Sequence, residues 1–321
     1  MNADAFLVTA RQAMSHWGVN APVLDLISHR ENAVFRTTLK DGTTAALRLH
    51  RPGYNAQQDI LSELWVSNEL AKTGFPCPKP LATDSDDLLV CLADGQCATM
   101  ISWVDGAPIG SGEAGIDQAT GDKIALYHDV GALLAELHTA TDQMQLGADF
   151  SRRRWDAEGF LGKAPHWGRF WENPILTREG SQLLQAARTK ARADLAQFQS
   201  AGADYGFIHA DALRENIFYD GNGLTLIDFD DSGFGFRLYD LATALSQSVD
   251  DADYMRLRQA IVDGYRTRRA LDDHAALLLP LFQMLRTMAS LGWAIPRLSP
   301  DDPGVSMYAH RALRLSREYL G

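Results

Sequence analysis

Hydrophobic side chains recur at helical spacing over residues 5–17, which predicts a helix at the start of the chain. The period then shortens. Residues 23–28, 32–39 and 43–50 are short β-rich runs that predict three strands, and Lys40-Asp41-Gly42-Thr43 supplies a tight turn between the last two. Helical spacing returns over 55–72 and stops at Thr73-Gly74-Phe75-Pro76, where glycine and proline end a helix. The stiff connection Pro76-Cys77-Pro78-Lys79-Pro80 leads to further strands at 88–91 and 97–103. Beyond that the character changes. Long helical periodicities dominate at 123–141, 238–248, 254–269, 274–294 and 305–320, with a turn-rich stretch at 296–304 between the last two. The pattern predicts an α+β chain in two parts. One is a small antiparallel-sheet part with a helix over 1–105, the other a larger, mostly helical part over 106–321. There is no internal repeat and no low-complexity tract.

Composition narrows the class. With 321 residues, 46% of them hydrophobic, the chain is long enough for a core in each part. A net charge of −11 argues against nucleic acid or an anionic membrane as partner and leans toward a cationic or zwitterionic small molecule. Cys77, Cys91 and Cys97 are odd in number and lack metal-ligand spacing, so each reads as a small buried hydrophobe of a reducing compartment. The first residues show no basic region followed by an apolar core, and the longest apolar run, 275–285, contains Pro280 and Gln283 and stops at Arg286, too short to span a bilayer. The expectation is a soluble cytoplasmic protein; nothing in the pattern speaks to oligomeric state.

The chemistry concentrates between Tyr205 and Ala242. His209, Asp211 and Asn216 sit in a short loop between two apolar runs, and Asp228 follows the strand-like 224–227. Moving a phosphoryl group asks little covalent chemistry of a protein; it asks for a divalent cation to neutralise oxygens and a carboxylate to orient the attacking hydroxyl. Asp211 suits the carboxylate's part. Asn216 and Asp228 offer hard oxygen ligands, which fit Mg2+ rather than zinc. A single His-x-Asp is by itself an ordinary turn, and Gly233-Phe234-Gly235 an ordinary loop. The information lies in several elements in order and at fixed spacing.

The pattern H-x-D-x-x-x-x-N followed by D-x-D resembles the aminoglycoside phosphotransferase and choline kinase-like superfamily. Ile227-Asp228-Phe229-Asp230-Asp231 is similar to the same stretch in type II homoserine kinases and the bacterial stress-response kinase A group, a resemblance that spans most of the chain. It implies a bilobal protein kinase-like fold, in which His209 braces the catalytic loop, Asp211 is the base, Asn216 and Asp228 bind magnesium, and Asp240 anchors the loop. Asp230 would help hold a second metal or stand as a surface-loop carboxylate. In the smaller lobe, strand 45–49 carries Arg48 where relatives place a phosphate-holding lysine, and Arg for Lys is not automatically conservative. Glu63 is its expected helix partner, with Glu69 as competitor. The phosphate-covering turn Ser28-His29-Arg30-Glu31-Asn32 has no glycine and would work through backbone N–H groups and Asn32. At the hinge, 99–106, the Ser102 carbonyl and Val104 amide would read ATP's adenine, with Met100 or Ile101 behind the base.

Two stretches stay open. Trp155, Phe160, Trp167, Phe170 and Trp171 would wall a pocket for a small amino-bearing alcohol or anchor an inserted loop to the core. His138 reads as a packed core histidine without a catalytic role. The interval from Asp228 to the helix near Leu238 leaves no room for the activation segment of protein kinases, which favours a small acceptor. The resemblance thus implies an ATP- and Mg2+-dependent phosphotransferase acting on a hydroxyl of a small amino alcohol or amino acid such as homoserine. The alternatives are a stress-response type Ser/Thr protein kinase and a pseudokinase that binds nucleotide without turnover, the latter prompted by Arg48 and the missing glycines.

Overall fold

The computed structural model describes residues 3–29, 32–112, 114–117 and 120–321. The chain divides into two compact units. The first comprises Met1–Ala107, Gln143–Arg152 and Phe218–Asp230, the second Pro108–Asp142, Arg153–Ile217 and Asp231–Gly321. The first unit is thus discontinuous, taking in two later segments of the chain.

In the first unit, helix α1 (Ala3–Met14) runs into a short turn at Ser15–Trp17 and is followed by β1 (Asp25–His29), β2 (Ala33–Thr38) and β3 (Thr44–Leu49). Helix α2 (Gln57–Lys72), β4 (Val90–Cys91) and β5 (Cys97–Ser102) follow. The strands form one antiparallel sheet in the order β1-β2-β3-β5-β4. Central β3 is buried along almost its whole length, which suits its run of Ala and Leu, whereas edge strand β1 is exposed throughout. Ala10, Ala13, Met14 and Trp17 pack with Phe35, Leu47, Leu49 and Met100 into the main core, while Ile60 and Leu64 of α2 meet Cys97. The later segments are stitched in by polar contacts. Leu226 N donates to Pro76 O at 3.0 Å, and the Arg152 guanidinium donates to the carbonyls of Asp59, Phe229 and Asp230 at 3.0, 2.9 and 2.6 Å.

One expectation is corrected here. Cys91 and Cys97 do not act as two isolated buried thiols: they face each other across the β4–β5 register, 4.2 Å apart at Cα, and form a disulfide. Cys77 alone remains a thiol, and burial pushes it up to about 12.

The second unit is mostly helical. Its elements are α3 (Lys123–Asp142), β6 (Arg154–Trp155), α4 (Ala157–Leu161), α5 (Arg178–Ser200), β7 (Tyr205–Ile208), β8 (Gly233–Phe236) and α6 (Leu238–Leu245). After these come α7 (Tyr254–Arg266), α8 (Asp273–Ala276), α9 (Leu279–Ala294) and α10 (Pro303–Leu320). Helices α3 and α7 approach backbone to backbone. A Cβ on Gly131 would lie 2.1 Å from Ile261 O, and one on Gly264 would lie 1.8 Å from His128 O, so both positions require glycine.

Three sequence expectations change. The glycines of Gly233-Phe234-Gly235 belong to β8, which pairs antiparallel with β7 and parallel with β6; a Cβ at Gly235 would strike Ile208 at 2.4 Å, so glycine here serves close strand packing rather than a loop. Helix α5 has no counterpart in the pattern reading: its buried stripe, Leu184, Ala187, Ala191 and Leu195, is half alanine and lies among Arg and Gln. The helix expected over 274–294 is two, because Pro280 starts a new helix in its first turn. Length and hydropathy would also let Asp273–Ala294 pass for a membrane-crossing segment, but α9 buries Phe282, Met284, Leu285, Met288 and Leu291 in this unit's core. The open question of the aromatic segment closes as well. Trp155, Phe160, Trp167 and Phe170 are buried, and Trp155 lies against Phe160, Trp167 and Tyr239 with ring centroids 5.5, 5.2 and 5.8 Å apart, so the segment is anchored to the core.

Candidate functional site

In the second unit, strand β7 delivers the loop that carries His209, Asp211 and Asn216. Its backbone is tied down by Asp240, in the first turn of α6, whose fully buried carboxylate accepts from the amides of His209 and Ala210 at 2.8 and 2.7 Å. Those two bonds hold Ala210 at φ 66°, a left-handed conformation that disfavours any residue with a Cβ. His138 completes the anchor. Its Nε2 donates to Asp240 at 3.0 Å, which leaves Nδ1 to accept from the Tyr265 hydroxyl at 2.8 Å, and burial holds the ring below its ordinary pKa in the neutral form.

Asp211 emerges from this anchored loop with its side chain about 22% exposed. The Asn216 amide donates to the Asp211 carbonyl at 2.8 Å and to its Oδ2 at 2.9 Å. Both of Asn216's donor contacts thus point into the loop, and its amide oxygen is the atom left for other partners. Oδ1 of Asp211 receives Arg286 Nη2 at 2.8 Å. Burial pushes Asp211 up to about 7, opposed by Arg286 and assisted by the neighbouring carboxylate of Asp231. Asp231 is itself paired with Arg153 at 2.9 Å. His209 is fully buried, and its Nδ1 accepts from Asp211 N at 3.3 Å.

The second cluster lies in the first unit. Arg48 on β3 is buried, and its guanidinium forks: Nη1 meets Glu63 Oε1 at 2.6 Å, Nη2 meets Asp230 Oδ1 at 2.5 Å, and Asp228 Oδ1 is 3.8 Å away. Glu69 pairs instead with Lys72. Asp230 is not a surface-loop carboxylate. It is buried, its other oxygen accepts from the Asn32 amide, and its carbonyl accepts from Arg152. Burial opposes the charge of Asp230, but Arg48, with Arg152 and the other neighbours added to it, holds the carboxyl well below the usual carboxylate range. Glu63 goes the other way: burial pushes it up to about 8 in spite of Arg48. Asp228 keeps a half-exposed side chain at φ 64°, the second left-handed non-glycine of this stretch. Arg30 and Glu31 of the phosphate-covering turn lie outside the described residues.

At the hinge, Met100 is buried, Ser102 N donates to Lys79 O at 2.7 Å, and Lys79 N donates to Ser102 Oγ at 2.9 Å. Ser102, Trp103 and Val104 line a cavity of about 430 Å3 in the same unit, together with Cys77, Lys79 and Asp105.

The sequence reading missed Arg286. Its signal was there: a lone arginine ends the apolar run of α9, and a guanidinium on a helix face that is otherwise core must find a carboxylate.

A family model described as the phosphotransferase enzyme family, APH, matches residues 24–277. A homoserine kinase of Mesorhizobium japonicum is 27% identical over 323 residues, covering 93% of this chain and 93% of that protein. One of Rhodopseudomonas palustris is 27% identical over 286 residues, covering 83% and 79%. Among solved structures, the microcompartment-associated aminopropanol kinase superposes with a TM-score of 0.84 at 27% identity, over 98% of this chain and 97% of that one. An amicoumacin kinase in complex with AMP-PNP and Ca2+ superposes with a TM-score of 0.81 at 17% identity, over 99% and 94%, a likeness of fold. The ordered loop of His209, Asp211 and Asn216, an α+β architecture and the family match converge: the chain belongs to the APH phosphotransferase enzyme family and is an ATP-dependent kinase that phosphorylates a hydroxyl of a small metabolite.

Proposed function

We propose that the acceptor is a small amino alcohol or amino acid of the homoserine and aminopropanol class, and that Mg2+ serves the transfer. The observation that carries this reading is the Asp240-anchored loop, which presents Asp211 and Asn216 in a fixed mutual geometry. Whole-length similarity to homoserine kinases and to an aminopropanol kinase supports the acceptor class.

Asp211 orients the acceptor hydroxyl and takes its proton as the oxygen attacks the γ-phosphorus; the terminal P–O bond breaks and ADP leaves. Its raised affinity for a proton, set by burial, suits that transfer. The Asn216 amide oxygen and the Asp228 carboxylate are hard oxygen donors of the kind magnesium takes one or two of, the remainder coming from phosphates and water. Once bound, Mg2+ neutralises the phosphate oxygens on which charge builds. Arg48 holds Asp230 in place two residues from Asp228, and its fixed positive charge favours the phosphates. The backbone of Ser102 and Val104 takes the adenine, with Asn32 and Glu63 supporting the nucleotide side. His209 and Asp240 keep the loop in register. A kinase of this kind draws on the cytoplasmic nucleotide pool.

The test is coupled ADP release with ATP and Mg2+ across homoserine, 1-amino-2-propanol, ethanolamine, choline and an aminoglycoside, with Asp211→Asn alongside. A rate stimulated by one amino alcohol or amino acid and lost in the variant is expected. Turnover of a peptide in place of every small acceptor would instead assign a protein kinase, and nucleotide binding with no turnover a silent binding module.

A further inference from the structure

Arg286 stands 75 positions beyond Asp211 in the chain, on helix α9. Its side chain is 5% exposed and is committed on three sides: Nη2 to Asp211 Oδ1 at 2.8 Å, Nη1 to the Ala210 carbonyl at 3.4 Å, and the guanidinium face to the Trp167 ring, 4.6 Å from its centroid. Trp167 is held in turn against Trp155 within the anchored aromatic segment. The arginine therefore does not float over the base. It is seated on a rigid ring and grips both the carboxylate and the backbone carbonyl of the residue before it, the residue at φ 66°.

The arrangement is an inefficient way to stabilise a core. A buried ion pair recovers little more than its desolvation, and replacing one by well-packed apolar groups is often neutral or favourable. Arg286 also borders the Tyr239 hydroxyl, while its Nε and Trp167 Nε1 are buried without a hydrogen-bond partner among the described residues. What the arrangement does accomplish is orientation. With Oδ1 held by Arg286 and Oδ2 approached by Asn216, the plane of the Asp211 carboxylate is set from two sides, and Oδ2 retains acceptor capacity for a hydroxyl.

We infer that Arg286, seated on Trp167, is a positioning residue for phosphoryl transfer: it fixes the carboxylate plane of Asp211 and the Ala210 carbonyl, and acts on the acceptor only through Asp211. This rests on the reading of Asp211 as the base. Lysine in its place would reach the carboxylate as a point charge but could not fork to Ala210 and lie flat on Trp167.

The experiment is a double-mutant cycle on the full chain, with kcat and KM measured for the acceptor that the ADP-release panel identifies. Arg286→Met is expected to lower kcat by about 30- to 100-fold, the scale of a misplaced catalytic group, with KM for ATP changed by less than about twofold. Arg286→Lys should recover part of that loss, and because it keeps a charge against Asp211 it carries the test if the methionine variant does not fold. In the Asp211→Asn background the same Arg286 substitution should change kcat by less than about twofold, since the group it positions is gone. An equal fall in both backgrounds, or a loss confined to KM for ATP, would overturn the inference while leaving Asp211 as the base. A fully active Asp211→Asn would overturn both.

Discussion

Each unit spends a buried arginine on carboxylates, and the two arrangements are built to different ratios. In the first, Arg48 faces Glu63 and Asp230 at 2.6 and 2.5 Å with Asp228 at 3.8 Å, so one guanidinium serves several acids. One of them, Glu63, is driven toward its protonated form by burial while Asp230 stays charged. In the second, Arg286 has one carboxylate, Asp211, and completes its contacts with a carbonyl and an indole ring. The first is a crowded clamp that ties the segment after Asp228 to β3 and α2. The second is a dedicated holder for one group. The difference teaches that buried charge here serves placement: Arg48 divides its donors among acids, whereas Arg286 commits its ion pair to Asp211.

The largest expected effect breaks the second cluster at its centre. Asp211→Asn keeps the shape but removes the proton acceptor, and kcat should fall about a thousandfold, about 4 kcal/mol of barrier, in the coupled ADP assay. Thermal stability should fall as well, because the variant leaves the buried Arg286 guanidinium without its carboxylate. Next in size, Arg48→Met removes the guanidinium that joins Glu63 to Asp230, and urea unfolding should show a loss of about 3–5 kcal/mol, with Arg48→Lys losing less. An unfolding midpoint unmoved by Arg48→Met would dissolve the contrast between clamp and holder.

Each cluster also has a buried neutral histidine, which gives the comparison a pH axis. Burial, with Arg48 nearby, pushes His50 down to about 3, and burial lowers His138 against the pull of Asp240. Both folded pKa values lie below the unfolded value of about 6.5. The unfolded chain therefore binds more protons below that pH, so this contribution is complete above about pH 6.5 and is lost as the pH falls below it. Each histidine should contribute a loss of up to about 1.4 kcal/mol per pH unit, opposed in the same window by Glu63 and Asp211, whose raised values favour the folded state as the pH falls, and His138→Gln should remove its share between pH 6.5 and 5. The smallest effect sharpens the assignment within the first cluster. Glu63→Gln replaces a carboxyl already biased toward neutrality and should cost about 1 kcal/mol or less, whereas Asp230→Asn, which discards a charge held by Arg48 and Asn32, should cost clearly more.

Legibility in the sequence followed the range of the interactions. The strands of the first unit and the loop of His209, Asp211 and Asn216 were readable because hydrophobic period and motif spacing are local properties. Helix α5 was not, because a stripe of Leu184, Ala187, Ala191 and Leu195 contrasts little with its polar neighbours. Gly233 and Gly235 read as loop because glycine's local preference is permissive, and only the Arg153 carbonyl against Gly233 and Ile208 and Trp155 against Gly235 reveal why side chains are excluded there. The aromatic segment read two ways because a ring's burial depends on what packs over it.

Local pattern carried the α+β class, the strands of the first unit and the spacing of His209, Asp211 and Asn216, since each of these is encoded within a few neighbouring positions. The tertiary structure decided which charges meet. Arg48 reaches Asp230 across 182 positions and Arg286 reaches Asp211 across 75, and Cys91 finds Cys97 only because β4 and β5 pair in one register. No local pattern encodes such pairings. They arise when packing removes water from around a charge, and the surviving state is the one in which the opposite charge is already in place.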